Sequence, residues 1–345
     1  VADNPQTLTA VLSALAQNFR PRVVRTINRR SVLLKTLPVQ PGEGKNIAVD
    51  VEFDGMVVEN FNDGDDVTNY GSDAVAPATL AWALYRANFR VGDLARAAAK
   101  TSRSPQGLMA LWGRNLVNAS AKLSSNINLG GYSGNGTSNA ITGFDTALLN
   151  NNTYMGIDRS QAGNAGFRGN VIDPGVLTQV ALDDIRGDIN NTIYTACGEQ
   201  PDFAFCSPTI FNMLGGRFTQ LRRFPDEVRE INTTRGKVTL DASVGALEFE
   251  GCVFIKDKDA TANQIYYVNS NYVHWEYLPQ QDEGELTQNE RAADLDDGYG
   301  PAPLGMRVKM LAETGASKKA TAMVFLNLVV EKPNTCGLRK NVANT

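Results

Sequence analysis

The sequence predicts an α+β fold, with short strands lying both before and after the principal helices. Three stretches carry that reading: a period-two run from Ile47 to Phe53, an apolar repeat every three or four residues from Leu108 to Ile127, and a series of short apolar runs between Ala246 and Val330. At 345 residues the chain is long enough to bury a substantial core and, by length alone, to divide into two or three compact units.

Taken in order, Thr7 to Phe19 reads as a short amphipathic helix with Leu8, Val11, Leu12 and Leu15 on one side. An arginine-rich segment follows, containing Arg20, Arg22, Arg25, Arg29 and Arg30, and then a polar turn, Pro41-Gly42-Glu43-Gly44. Next, Ile47, Val49, Val51 and Phe53 alternate with Ala48, Asp50, Glu52 and Asp54, the pattern of a strand with one wet face. A second extended run, Thr79 to Val91, is expected to set Leu80, Trp82 and Leu84 on one face. The connection between the two, Gly55 to Ala78, is rich in Asp, Asn and Gly, and connections this long inside a compact domain function or reach outward. Two strands with a long acidic tip make a projecting β-arm, expected to reach a neighbouring molecule.

Ser104-Pro105 carries a helix start signal, Ser as N-cap and Pro at the first helical position. Leu108, Trp112, Leu116, Ala119, Leu123 and Ile127 then recur at helical spacing, and Gly130-Gly131 is expected to stop the run. The result is a helix of about 24 residues, roughly 36 Å long. A loop rich in Gly, Ser and Asn spans Gly130 to Gly143, and a second helix is expected from Asp173-Pro174 with Leu177, Ala181, Ile185 and Ile189 on one face. Asp202 to Cys206 reads as a strand, followed by Ser207-Pro208 as a cap and a short helix ending at Gly215-Gly216. Strands then dominate: Ala246 to Phe249, Cys252 to Ile255, Ile265 to Val268, Val273 to Tyr277, Met306 to Leu311 and Ala320 to Val330. No internal repeat is visible.

Composition narrows the function classes. No apolar run approaches the roughly 20 residues of a membrane helix, and the longest, Ala322 to Val330, holds Asn327 in its middle. The N-terminal stretch is polar and lacks the apolar core of a secretory signal. Cys197, Cys206, Cys252 and Cys336 show no paired spacing, so structural thiols are expected rather than a zinc knuckle or a disulfide framework. The net charge of −4 hides a strong polarisation: arginines crowd the N-terminal stretch, while from Asn46 to Tyr85 there is no Lys or Arg.

Nothing in the sequence assembles a catalytic constellation. There is a single histidine, His274, flanked by Val273 and Trp275 in a strand and read as a packing residue. No phosphate-binding GxxxxGK[ST] exists, and Gly131-Tyr132-Ser133-Gly134-Asn135-Gly136 has the wrong spacing for a dinucleotide fingerprint. Asn62-Asp63-Gly64-Asp65-Asp66 invites a calcium reading, but Phe61 and Tyr70 stand where an EF-hand loop needs oxygen ligands. Glu59, Asp63, Asp65 and Asp66 are therefore assigned to a partner-facing arm tip. A metal-dependent hydrolase using Asp63, Asp65 and Asp66 is the distant alternative. For the arginine cluster two functional readings stand beside a plain solvated face: attraction to nucleic-acid phosphates, or pairing with acidic surfaces of neighbouring subunits. No cofactor is expected, and no enzyme activity.

Thr153-Tyr154-Met155-Gly156-Ile157-Asp158-Arg159-Ser160 is similar to a Thr-Tyr-Gly-Gly-Ile-Asp-Arg-Ser stretch recurrent in tailed-bacteriophage major capsid proteins of the Hong Kong 97-like fold, with Met155 in place of the first glycine. Asp202 to Leu214 and Leu247 to Asp257, continued by Ile265 to Asn269, resemble further landmarks of that family. The resemblance implies an N-terminal arm at 1–35, an extended β-hairpin called the E-loop at 36–93, and a peripheral domain with a long spine helix at 94–145. A central axial domain at 146–300 and returning peripheral strands at 301–345 complete the plan. It further implies a virion protein, assembled in a host cytoplasm, that forms pentamers and hexamers of an icosahedral shell around double-stranded DNA, with scaffolding, portal and decoration proteins as partners and no membrane. An encapsulin-type compartment shares the fold and is the alternative. Covalent crosslinking through an E-loop lysine, known in some members, is not carried over because the loop tip has no lysine. Initiator removal or maturation cleavage would each account for a first residue of Val1.

Overall fold

A computed structural model describes residues 31–53, 74–93, 106–217, 247–279, 306–311 and 317–343, with shorter pieces at 58–60, 62–63, 66, 229–233 and 236–240. Along the chain these form α1 (Val32–Thr36), β1 (Val39–Pro41), β2 (Asn46–Phe53), β3 (Ala74–Ala81), β4 (Ala83–Gly92), α2 (Gln106–Ser133), α3 (Phe144–Ala147), β5 (Thr153–Tyr154) and β6 (Ile157–Asp158). There follow β7 (Asn170–Ile172), α4 (Leu182–Arg186), β8 (Phe203–Cys206), α5 (Pro208–Arg217), β9 (Arg229–Thr233), β10 (Gly236–Leu240), β11 (Leu247–Phe249) and β12 (Cys252–Lys256). The chain ends with β13 (Ile265–Val268), β14 (Val273–Tyr277), β15 (Arg307–Leu311), β16 (Ser317–Val330) and β17 (Gly337–Arg339). The mixture confirms the α+β class. The helix expected over Thr7–Phe19 and the cap at Ser104-Pro105 lie outside the described residues.

Two compact units share the chain. The first comprises Val1–Leu34, Ala83–Asn128 and Tyr277–Leu326, the second Lys35–Trp82, Leu129–Glu276 and Asn327–Thr345. In the first, β16 pairs antiparallel with β4 on one side and β15 on the other. Ala320, Ala322 and Val324 of β16 are fully buried there. The amide of Leu33 donates to Asn128 Oδ1 at 3.0 Å and Ser31 Oγ to the Ser124 carbonyl at 3.1 Å, fixing the residues around α1 to α2.

In the second unit a six-stranded mixed sheet runs β11-β12-β8-β13-β17-β7. Its register sets Phe205 beside Tyr266 and Ala204 beside Tyr267, so alternate residues supply two apolar faces. One face packs on Ile185, Ile189, Ile193, Ile210 and Leu214. The other is aromatic, with Tyr132 ring centroids at 6.1 Å from Phe144, 6.4 Å from Phe205 and 5.4 Å from Tyr266. Strands buried on both faces read as unbroken apolar runs, which is why Phe203–Cys206 and Ile265–Val268 were legible.

Three local expectations are corrected. Helix α2 passes through Gly130-Gly131 and ends at Ser133. The turn after it needs glycine at Gly134 and Gly143, where a Cβ would lie 2.4 Å from the Gly130 carbonyl oxygen. Tyr132, inside this last turn, is fully buried and holds the helix down. The helix expected at Asp173-Pro174 begins instead at Leu182. Asp173 Oδ1 accepts the Gly175 amide at 2.8 Å, closing a turn, and Asp184 Oδ2 accepts the Ala181 amide at 2.7 Å, starting the helix. Leu177 and Ala181 are accordingly exposed, while Ile185 and Ile189 are buried. Finally, the extended run 79–91 is two strands: Trp82 and Ala83 are both buried, the alternation flips between them, and Leu84 faces solvent.

Candidate inter-subunit surfaces

The arm forms from the alternation that the sequence shows. Strands β2 and β3 pair antiparallel in register from Asn46 opposite Ala81 to Phe53 opposite Ala74, and they pair with no other strand among the described residues. Ile47, Val49, Val51 and Phe53 therefore share a face with Leu80, Ala78 and Ala76. That face is buried at its base, at Ile47, Ala78 and Leu80, and only partly covered at Val49, Val51 and Phe53. Asp50 and Glu52 occupy the wet face. Pro77, which has no amide hydrogen, stands opposite Asp50 in a two-stranded ribbon, where each strand has an open edge.

The base of the ribbon is clamped. Trp82 Nε1 donates to the Gly44 carbonyl at 3.2 Å. A Cβ at Gly42 would lie 2.1 Å from Glu276 Oε1 and 2.6 Å from the Trp82 ring, so only glycine lets the chain pass. The Thr79 amide donates to the Met155 carbonyl at 2.9 Å, tying β3 to the tight β5–β6 hairpin. In that hairpin Met155 and Gly156 take φ of +51° and +82°, the signature of a two-residue hairpin turn. Met155 thus adopts, as a non-glycine residue, the left-handed conformation a glycine would take without strain, and it keeps its side chain buried.

The rest of the Asp158-Arg159-Ser160 stretch is structural. Asp158 accepts the Ser160 amide at 3.0 Å and its hydroxyl at 2.7 Å, and these bonds hold its carboxyl below the usual range. Arg159 is fully buried, donates to the carbonyls of Ala147 (2.7 Å) and Thr146 (3.1 Å), and lies 4.8 Å from the Tyr154 ring centre. Burial lowers its pKa to about 10, so it is still charged at neutral pH. Tyr154 in turn accepts the Val330 amide at 3.0 Å.

Sequence reasoning missed a buried charge pair. Arg339 Nη1 reaches both oxygens of Asp188, at 2.6 and 2.7 Å, and the Tyr267 hydroxyl donates to Asp188 Oδ2 at 2.9 Å. Desolvation raises the Asp188 pKa against the opposing pull of Arg339 and Tyr267. Asp188 sits in a π-helical segment, Gly187–Tyr194, that continues α4. With the partners 151 positions apart, no local pattern signals the pair. Asn327 was visible as a polar residue in an apolar strand; it is satisfied by the Thr142 amide at 3.0 Å and the Ala81 carbonyl at 2.8 Å.

Of the assigned surface residues, Glu59, Asp63 and Asp66 are exposed. Asp65 and Arg20, Arg22, Arg25, Arg29 and Arg30 lie outside the described residues. His274 is buried, with Nε2 at 3.7 Å from Glu276 and Nδ1 at 3.9 Å from Glu331. Burial raises the Cys206 and Cys336 thiols to about 12. Among the described residues no three His, Cys, Asp or Glu side chains gather to hold a metal, and no helix is long and apolar enough to cross a membrane.

No protein-family model and no curated protein matches the sequence. Solved structures do. The capsid asymmetric unit of cyanophage A-1(L) superposes with a TM-score of 0.71 at 16% identity, over 94% of this chain and 95% of that one. The capsid of a native GTA particle gives 0.59 at 12% identity, over 99% and 100%. An encapsulin complex from Synechococcus elongatus gives 0.57 at 13% identity, over 98% and 96%. The fold is that of phage capsid and encapsulin shell proteins, and of tailed-phage major capsid proteins in particular.

Proposed function

We propose that this chain is a major capsid subunit that self-assembles as pentamers and hexamers into an icosahedral shell enclosing viral double-stranded DNA. The likeness to the cyanophage capsid, at a TM-score of 0.71 over nearly the whole of both chains, is the observation that carries this reading. The β2–β3 ribbon supports it from the physics side: an isolated two-stranded hairpin is marginal in water, and here its outer apolar face is only partly covered.

On this reading β2, β3 and the residues between them are the E-loop, and α2 is the spine helix. The peripheral domain takes 94–145 and 301–345, the axial domain 146–300, and the N-terminal arm 1–35. Glu59, Asp63, Asp65 and Asp66 meet neighbouring subunits, and the arginines of the N-terminal arm face either DNA phosphates or those same acidic surfaces. Repetition under closed symmetry makes many modest contacts sufficient. Scaffolding, portal and decoration proteins are the further partners, and the virion is the location.

An encapsulin-type shell is the second reading, favoured by the likeness to the Synechococcus elongatus complex. Negative-stain imaging of the purified protein, with analysis of what the particles enclose, tests both. Closed shells holding nuclease-protected duplex DNA are expected. Shells holding an enzyme and no DNA would transfer the chain to the second reading, and a dispersed monomer under all conditions would remove both.

A further inference from the structure

One edge of the six-stranded sheet lies in a polar groove. Strand β7 ends that sheet and, among the described residues, pairs only with β17. Their parallel register sets Asn170 beside Gly337 and Ile172 beside Arg339. The Asn170 amide donates to the Cys336 carbonyl at 3.3 Å, and the Ile172 carbonyl accepts the Lys340 amide at 2.9 Å. Along a strand, alternate residues turn their main-chain groups to the same side, so Asn170 and Ile172 both face β17. The N–H and C=O of Val171 therefore point the other way, off the edge of the sheet.

Val171 lines a groove of about 320 Å³. Ala165, Gly166 and Ala196 keep its lining low, and a Cβ placed on Gly166 would meet nothing within 4 Å. Thr192 brings in the π-helical segment, a rare backbone form often found at functional sites. Two polar groups of the lining have capacity to spare. Asn334 Oδ1 is buried and has no hydrogen-bond partner. Arg168 spends Nε on the Arg159 carbonyl at 2.5 Å and Nη2 on those of Ser160 and Gln161 at 3.0 and 2.9 Å, which leaves Nη1 as a donor. Buried polar groups are normally paired, so an orphaned acceptor in a groove marks a missing donor.

The chemistry of the groove selects its occupant. Arg168 is the only charged residue among the described residues lining it, which suits neither a run of phosphates nor a metal ion. An N–H and a C=O presented together at a strand edge match another main chain, which offers the same two groups at strand spacing. We propose that the groove receives an extended, uncharged segment of a different protein, added to the sheet beside β7. Its main chain pairs with Val171, one of its N–H groups donates to Asn334 Oδ1, and small side chains lie over Gly166 and Ala196. The three residues of β7 set the paired length at about 10 Å. In a second copy of the chain β7 is recessed in the same way, so two such edges do not meet.

Amide exchange at single residues of the full-length, unassembled subunit tests this. The probe is a pool of capped hexapeptides built only from Gly, Ala, Ser, Thr and Asn, added at millimolar concentration. Exchange at Val171 is expected to slow by about tenfold or more, while Asn170 and Ile172, already paired with β17, stay as they are. The same pool with every peptide nitrogen methylated lacks the main-chain donors and should protect nothing. Gly166→Phe fills the groove from a position where a Cβ meets nothing, and should abolish the protection. Ala196→Phe, at an exposed position, takes its place should that variant not fold. An unchanged Val171 amide with the first pool overturns the proposal. So does protection that the methylated pool also gives, that survives the blocking variant, or that appears equally at β11, the opposite edge of the same sheet. Every readout comes from the free subunit, so failure here leaves the shell reading standing.

Discussion

The six-stranded sheet and the β2–β3 ribbon both grow from short runs of apolar residues, yet they finish in opposite states. In the sheet, Phe203–Cys206 and Ile265–Val268 are buried on both faces by residues of the same unit. In the ribbon, burial is complete at Ile47 and Leu80 and fades along Val49, Val51 and Phe53. A Val or Phe side chain contributes about 1.5–3 kcal/mol when fully removed from water. The outer ribbon therefore holds several kcal/mol of unrealised burial, available to whatever covers it. On the proposed reading, the difference separates a part of the chain that completes its own burial from a part that completes it by association.

Removing the ribbon's tip should give the largest effect and separate the two regions cleanly. A chain with residues 55–73 replaced by a tight turn is expected to stay soluble, keep the parent's denaturant midpoint, and form essentially no particles by sedimentation. Particles of normal size and heat resistance from that chain would deny the arm its role.

The core should respond in the opposite way. Asp188→Ala leaves the Arg339 guanidinium buried without its carboxylate, a change that costs about 3–5 kcal/mol. Urea denaturation of the unassembled subunit should show that loss directly, and no neighbouring copy should restore it.

How much of this was legible follows the range of each interaction. The ribbon's first strand was plain, because a period of two is a local signal. Cys252–Ile255 and Ile265–Val268 were plain for a similar reason, as apolar runs too short for helices. Asp173-Pro174 misled because an Asp that closes a turn onto Gly175 carries the same signature as an Asp that caps a helix. Gly130-Gly131 misled because the fully buried Tyr132 keeps the helix going against the glycines' intrinsic cost, about 1 kcal/mol each. Leu84 misled because the flip at Trp82 and Ala83 is set by packing. The Asp188–Arg339 pair depends on a register between distant segments, and a single sequence does not print that.

Met155 gives the smallest effect and a finer test of how the ribbon is anchored. Met155→Gly removes left-handed strain of about 1–2 kcal/mol but also a buried side chain whose truncation costs about 2–5 kcal/mol. A net loss of about 1 kcal/mol is expected in the unassembled subunit. A net gain would mean that the Met155 side chain contributes little to the core.

Amide hydrogen exchange on free subunits and on assembled particles tests the division between folding and associating regions most directly. Exchange in β8 and β13 should be slow in both. Hydrogen-bonded amides between Val49 and Phe53 should be poorly protected in the subunit and become about tenfold or more slower in the particle, as burial of the ribbon is completed. Equal protection of the ribbon in both forms would contradict the account, since the arm would then need no neighbour.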